Sequence, residues 1–297
     1  MSAVPMAFLP IELVLQVVAE LGRPRPSAYR CSTSTVVTLC RLSLVSRSFH
    51  AMATPVLYRS VSLLGPVSMS RFARTMSTSE KRIHVRAILF DRFWEDLESI
   101  PDICTILLAV APSLRQLFVN FPLLSENRHS EEIFRAFDKL SACNIVEFVS
   151  ERQNYDDLLM RHYPMMGSHW TGLRRLALHS FKIDNHFLIT LSTLPALEVV
   201  AFVFAELPYP SPSFTAPLPP SLRQVIVCWK FLGFDKLRDH VNRTGVERGA
   251  PVAVTCISPH DHAGHSRIID LEWAMCQVTT GELWETDRYK GAVTTLC

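Results

Sequence analysis

Glycine is scarce in this chain, with ten in 297 residues. Phosphate-binding loops, dinucleotide fingerprints and the nucleophile elbow of serine hydrolases all need glycine where backbone must turn sharply or approach a ligand. None of those patterns occurs, and the metalloprotease pattern H-E-x-x-H is also missing. Charge of one sign is lacking too: 30 Lys and Arg stand against 28 Asp and Glu, a net charge of +2. That balance gives no global reason to expect nucleic acid or an anionic membrane as partner. The longest apolar runs, such as ICTILLAVA, are far too short to span a bilayer. The opening MSAVPMAFLP has neither the basic n-region nor the apolar h-region of a secretory signal. Close cysteine pairs are absent, the eight cysteines standing at 31, 40, 104, 143, 228, 256, 276 and 297. This scatter predicts reduced thiols and a cytoplasmic or nuclear location rather than a disulfide framework. In such a compartment the Asn242-Arg243-Thr244 sequon is an accident of sequence.

Apolar residues are plentiful instead, at 48% of the chain, ample for a folded core. The length accommodates one large domain, or a small one followed by a medium one. At the start, LPIELVLQVVAEL places Pro10 at a helix opening, where its fixed φ and missing N–H are tolerated. Leu9, Leu13, Val17 and Leu21 then recur every four residues along one side of that helix. Further on, Leu42, Val45 and Phe49 share a helical spacing, and Pro55 is expected to open another short turn. Helices confined to about fifty residues barely cover their own apolar faces, so this module calls for a partner.

Three segments, Leu9-Pro10-Ile11-Glu12-Leu13, Leu42-Ser43-Leu44-Val45-Ser46-Arg47-Ser48-Phe49 and Leu57-Tyr58-Arg59, resemble the F-box. The likeness is strongest to fungal F-box proteins whose module runs into a strand reading LYRxVxL. The resemblance implies a helical module over 1–57 that docks on a Skp-type adaptor and, through it, a cullin. It implies Leu9, Pro10, Leu13, Val17, Leu42, Val45 and Phe49 as the adaptor-binding residues. The segment 22–38 is longer than the family's usual connection and is expected to be an inserted loop. The alternative for the same pattern is an ordinary helical cap on a larger domain.

From 58 to 297 the chain repeats itself. YRSVSL (58–63), VRAILF (85–90), LRQLFV (114–119), LRRLAL (173–178), LEVVAF (197–202) and LRQVIV (222–227) fit an apolar-x-x-apolar-x-apolar frame. CNIVEF (143–148) fits with cysteine in the first slot, and PVAVTC (251–256) fits poorly. Each reads as a strand whose last two apolar slots share one face, with the intervening residues facing the other way. Between the strands lie predicted helices. One covers 102–110 before Pro112, another follows a Ser130 cap, and a third follows an Asp184 cap. FDKLRDHVNRTG and RIIDLEWAMCQVTTG are expected to close on their glycines. An α/β region results, in which parallel strands alternate with helices.

The period and the L-x-x-L-x-L strands resemble the leucine-rich repeat. That family's asparagine or cysteine ladder is absent, since Pro122, Phe181, Ala205 and Lys230 stand in its place, so the expected solenoid is irregular. A doubly wound sheet or a (β/α) barrel would alternate similarly. Both favour continuous apolar strands, whereas arginine and glutamine recur inside these. Six prolines between 208 and 220 define an extended loop, either a stiff connection or a ligand for a proline-binding domain.

Two function classes follow. In the first, the chain is a non-catalytic substrate receptor of a Skp–cullin–F-box type ubiquitin ligase, needing no cofactor, nucleic acid or membrane. Its helices hold the adaptor and its repeats hold a target protein. The second slot of the frame reads Arg59, Arg86, Arg115, Asn144, Arg174, Glu198 and Arg223, with Arg175 beside Arg174. Like charges on neighbouring strands repel unless something anionic faces them. Arg86, Arg115, Arg174, Arg175 and Arg223 are therefore candidates for binding an acidic or phosphorylated target; otherwise they splay into solvent or pair with Glu147 and Glu198. In the second class, the chain is an α/β enzyme with a zinc or Cys–His site at His260, His262 and His265, with Cys256 nearby.

Overall fold

The computed structural model of the chain describes residues 10–21, 33–78, 80–91, 97–120, 130–141, 145–150, 170–179, 182–207, 213–228, 234–257, 277 and 281–284. Three helices lead: α1 (Ile11–Leu21), α2 (Thr33–Ser43) and α3 (Arg47–Arg59). Helix α2 begins at Thr33, inside the segment 22–38 expected to be a loop. The reason is tertiary: Leu39 is buried against α1 and α3, which outweighs the weak helix propensity of Thr33-Ser34-Thr35 and two valines. Pro55 does not open a new turn but sits within α3, where Val56 and Leu57 pack against the same small core. Helix α3 passes straight into the sheet, Ser60 adopting extended angles (φ −130°, ψ 118°) directly after Arg59.

The sheet holds eight parallel strands in chain order: β1 (Ser60–Leu63), β2 (Ala87–Phe90), β3 (Gln116–Val119), β4 (Glu147–Ser150), β5 (Arg175–His179), β6 (Val199–Val203), β7 (Gln224–Cys228) and β8 (Ala253–Ile257). The chain is α/β, as the alternation predicts. The unshuffled order excludes a doubly wound sheet, whose strand order reverses at a switch point. Among the described residues β1 pairs only with β2 and β8 only with β7, so the sheet is open rather than a closed barrel. Such progressive stacking is the geometry of a solenoid.

The repeat frame sets the register. First-slot residues Val85, Leu114, Leu173, Leu197 and Leu222 are buried with fourth-slot Ile88, Leu117, Leu176, Val200 and Val225 in one core. Helices α4 (Pro66–Thr78), α5 (Ile100–Val110), α6 (Ser130–Ser141), α7 (Asn185–Ser192) and α8 (Phe234–Glu247) contribute to the same core. One frame needs correction. Glu147 pairs with Gln116 and Arg175, so the fourth repeat is IVEFVS at 145–150, two residues later than CNIVEF, and Val146 takes the slot expected for Asn144. The polar Ser150 in the sixth slot hid that frame; it is buried all the same, between Val119 and Leu178.

The opposite face of the sheet is not open to solvent, contrary to expectation. Leu89, Phe118, Val149, Ala177, Ala201 and Ile226 form a second buried cluster, joined by Ile257 and by Leu283 of the Glu282–Trp284 turn. Polar strand residues occupy mainly the third slot (Gln116, Glu147, Arg175 and Gln224), at the leading end of each strand. Polarity there marks one end of the face rather than the whole of it.

Helix α7 starts at its expected cap, the Asp184 carboxylate accepting a hydrogen bond from Phe187 N at 2.8 Å. Helix α4 has a legible signal that sequence reading passed over: Met69, Phe72, Ala73 and Met76 form a buried stripe behind Pro66. Helix α8 does not stop at Gly245 but runs two residues further. A Cβ at Gly245 would lie 3.1 Å from Val252 N, so close backbone approach explains that glycine; the left-handed residue is Gly249, at φ +67°. Between β6 and β7 the described part of the proline-rich loop, 213–220, has no helix or strand and buries Phe214, Ala216 and Leu218 in the main core. Among the described residues no helix is long and apolar enough to cross a membrane.

Candidate functional site

Among the described residues, the N-terminal helices bury little. Val14, Val18, Leu39 and Ala53 make the core of the module, with Leu42 and Phe49 packed partly against it. Helix α1 starts at Pro10, whose carbonyl accepts hydrogen bonds from Leu13 N (3.1 Å) and Val14 N (3.3 Å). Its inward face is Val14 and Val18, so the adjacent stripe of Leu13 and Val17 points out, 47% and 51% exposed. Leu15 on the same helix, and Val36 and Val37 on α2, are exposed as well.

The turn between α2 and α3 adds Leu44 and Val45, the latter 66% exposed. Ser46 ends that turn and caps α3 by accepting a hydrogen bond from Phe49 N at 3.2 Å. Of the seven residues expected to meet an adaptor, Pro10, Leu13, Val17 and Val45 are exposed, while Leu42 and Phe49 are half-buried in the module core. Leu9 lies outside the described residues. Four further apolar residues of the module, Leu15, Val36, Val37 and Leu44, are exposed and were not among the seven expected. Val36 and Val37 fell in the presumed loop.

A second feature lies at the edge where the chain enters each strand. The second-slot residues stack there through their backbones: Arg86 N donates to Arg59 O (2.9 Å), and Arg115 N donates to Arg86 O (2.8 Å). Val146, Arg174, Glu198 and Arg223 continue the same ladder. The row therefore runs along the leading edge of the sheet and not across an open face. Arg59, Arg86, Arg174 and Arg223 are exposed, and Arg115 is half-buried. Arg174 lies 3.8 Å from Glu198, a distance at which a solvated pair contributes little.

Arg175 belongs elsewhere. It sits one slot later, on the second face, and its guanidinium meets the Glu147 carboxylate at 3.3 Å. Glu147 is 1% exposed in its side chain and also accepts from Gln116 Nε2 (3.3 Å) and Trp284 Nε1 (3.2 Å). The guanidinium lies 5.9 Å from the Trp284 ring centre. A buried carboxylate with three donors is well satisfied, and it ties the Glu282–Trp284 turn to the middle of the sheet.

His260, His262 and His265 lie outside the described residues. Among the described residues no group of three or more His, Cys, Asp or Glu is placed to hold a metal ion. Burial pushes the Cys104 thiol up to about 11 and the Cys228 thiol up to about 12, which keeps both protonated near neutral pH. His240 is buried in α8, with Nδ1 3.4 Å from Arg243 Nη2, and burial lowers its pKa. Compared with protein-family models and with curated proteins, the chain gives no match to either.

Proposed function

We propose that this chain is a non-catalytic substrate receptor of a Skp–cullin–F-box type ubiquitin ligase. In this reading α1 to α3 are an F-box module that docks on a Skp-type adaptor and, through it, a cullin. The strands and helices from β1 onward are an irregular leucine-rich-repeat-like region that presents a target protein. The observation that carries the reading is the exposed apolar surface of the module. Leu13, Leu15, Val17, Val36, Val37, Leu44 and Val45 stand in solvent, while among the described residues of the module only Val14, Val18, Leu39 and Ala53 are fully buried. Apolar side chains left wet at this density mark a protein interface, because exposure forgoes the stabilisation that burial would give. The sequential parallel strands, with slots one, four and six turned to the helices, support the repeat assignment.

Co-expression with a Skp-type adaptor tests the reading. Leu13→Glu with Val45→Glu is expected to abolish co-purification, since losing one central apolar anchor typically costs about 2 kcal/mol or more. Neither side chain belongs to the buried core of the module, so the thermal unfolding midpoint should stay where it is. Full-strength adaptor binding by the double variant would overturn the assignment.

A further inference from the structure

The leading edge of β1 to β3 carries a strongly basic strip. Arg59, Arg86 and Arg115 occupy three consecutive rungs, locked in register by the backbone hydrogen bonds Arg86 N to Arg59 O and Arg115 N to Arg86 O. Neighbouring strands lie about 4.8 Å apart, so the strip is roughly 10 Å long. Like charges on adjacent strands disfavour one another, and the first acidic residue of the ladder is Glu198, at its sixth rung. Other cations add to the strip. The turn Glu80–His84 packs beside α3 and contributes exposed Arg82 together with Lys81, whose Nζ lies 5.2 Å from the Tyr58 ring centre. Glu80 is the one carboxylate in that turn, and it is exposed.

Positioning is built in. Arg86 Nη1 donates to Ser113 O at 2.9 Å, which anchors the side chain at one nitrogen and leaves the far side of the fork for a second acceptor. Ser113 is itself fixed, its hydroxyl donating to Arg82 O at 2.8 Å. Arg59 is the last residue of α3, so the strip begins where the helical module ends.

We propose that Arg59, Arg86 and Arg115 bind an extended anionic segment of a partner polypeptide. Its carboxylates or phosphates would lie across the leading ends of β1 to β3. The assignment deepens the receptor reading above, and rests on it for the role of that polypeptide as the ligase target. Carboxylate and phosphate oxygens both match the guanidinium fork. An extended peptide advances about 3.3 Å per residue, so a short run of alternating anions spans the strip. The strip's shortness and the nearly neutral chain favour a peptide over a nucleic acid, whose binding draws on long basic tracks. Arg174 and Arg223 lie outside the strip, separated from it by Val146, and Arg175 lies one slot later, on the second face of the sheet.

Fluorescence anisotropy on the full chain tests this without any adaptor, so its failure is separable from failure of the adaptor reading. Three labelled peptides serve as probes: nine residues with glutamate at three alternate positions, the same peptide with phosphoserine there, and one with glutamine. Binding of the glutamate or phosphoserine peptide, weakening as salt rises, with none of the glutamine peptide, is the expected result, and whichever anion binds more tightly identifies the source. Arg59→Gln with Arg86→Gln and Arg115→Gln should lower that affinity about tenfold or more, whereas Arg174→Gln with Arg223→Gln should change it less than about twofold. If the triple variant does not fold, Arg59→Gln alone, at an exposed helix end, should lower affinity about threefold. Undiminished binding by these variants, equal binding of the glutamine peptide, no binding at all, or tighter binding of a nine-nucleotide oligothymidylate would each overturn the proposal.

Discussion

Glu147 and Arg175 show how a single pair can mislead a reader of sequence. Arg175 follows Arg174 in the chain, yet one side chain is in solvent and the other is half-buried against a carboxylate that is almost fully enclosed. Breaking a buried pair from one side leaves a charge without its partner, which costs more than the pair contributed. Arg175→Leu should therefore destabilise the chain by about 3 kcal/mol in urea unfolding. Adding Glu147→Gln should recover most of that loss, because no charge then remains to desolvate. A double variant no more stable than Arg175→Leu would refute this account. His240 makes a pH-dependent contribution of definite sign. Burial lowers its folded-state pKa, so the unfolded chain takes up the proton first as pH falls through the ordinary histidine value of about 6.5. Stability should be full above that pH and decline below it, and His240→Gln should flatten the decline. An unchanged pH profile in the variant would show that another group is responsible.

At the scale of elements, the described part of the proline-rich loop, 213–220, covers the core side of the sheet between β6 and β7 without a helix. Proline cannot donate to a ladder, so the segment must be held by other donors and acceptors. Asn185 at the start of α7 does much of this. Its Nδ2 donates to Ser213 O at 2.8 Å, and its Oδ1 accepts from Thr215 N at 2.9 Å and Ala216 N at 3.4 Å. Arg243 Nη2 donates to Phe214 O, and Arg248 donates to Pro219 O and Leu222 O. Asn185→Ala should cost about 1–3 kcal/mol and speed amide exchange at Thr215 and Ala216, while β6 and β7 stay paired. Unaltered exchange there would mean that burial of Phe214 and Leu218 holds the segment without help. The sequence predicts an extended loop over 208–220 because six prolines permit little else, and 208–212 lie outside the described residues. Its packing was not legible, since the buried Phe214, Ala216 and Leu218 alternate with exposed residues over too short a span to stand out.

For the molecule as a whole, the proposed adaptor surface and the proposed target strip lie at the two ends of α3. Leu44 and Val45 precede it and Arg59 ends it, before β1 follows without a linker. A target held on the strip would thus sit within one short helix of the adaptor. The chain expressed without adaptor is expected to be poorly soluble, because its module leaves apolar side chains wet. What the sequence determined by itself was periodic. Spacing of apolar slots indicated the parallel strands and most of their register, because a two-residue period within a recurring frame puts the same slots on the same face in every repeat. Local chemistry placed the Asp184 cap and the helix opening at Pro10, since capping depends only on neighbours in the chain. Only the tertiary structure decided the rest: the helix over Thr33–Ser43, the continuity of α3 through Pro55, the frame at Ile145 and the burial of both sheet faces. In each case the deciding energy came from residues distant in the chain, and packing against them outweighed a local preference that pointed elsewhere.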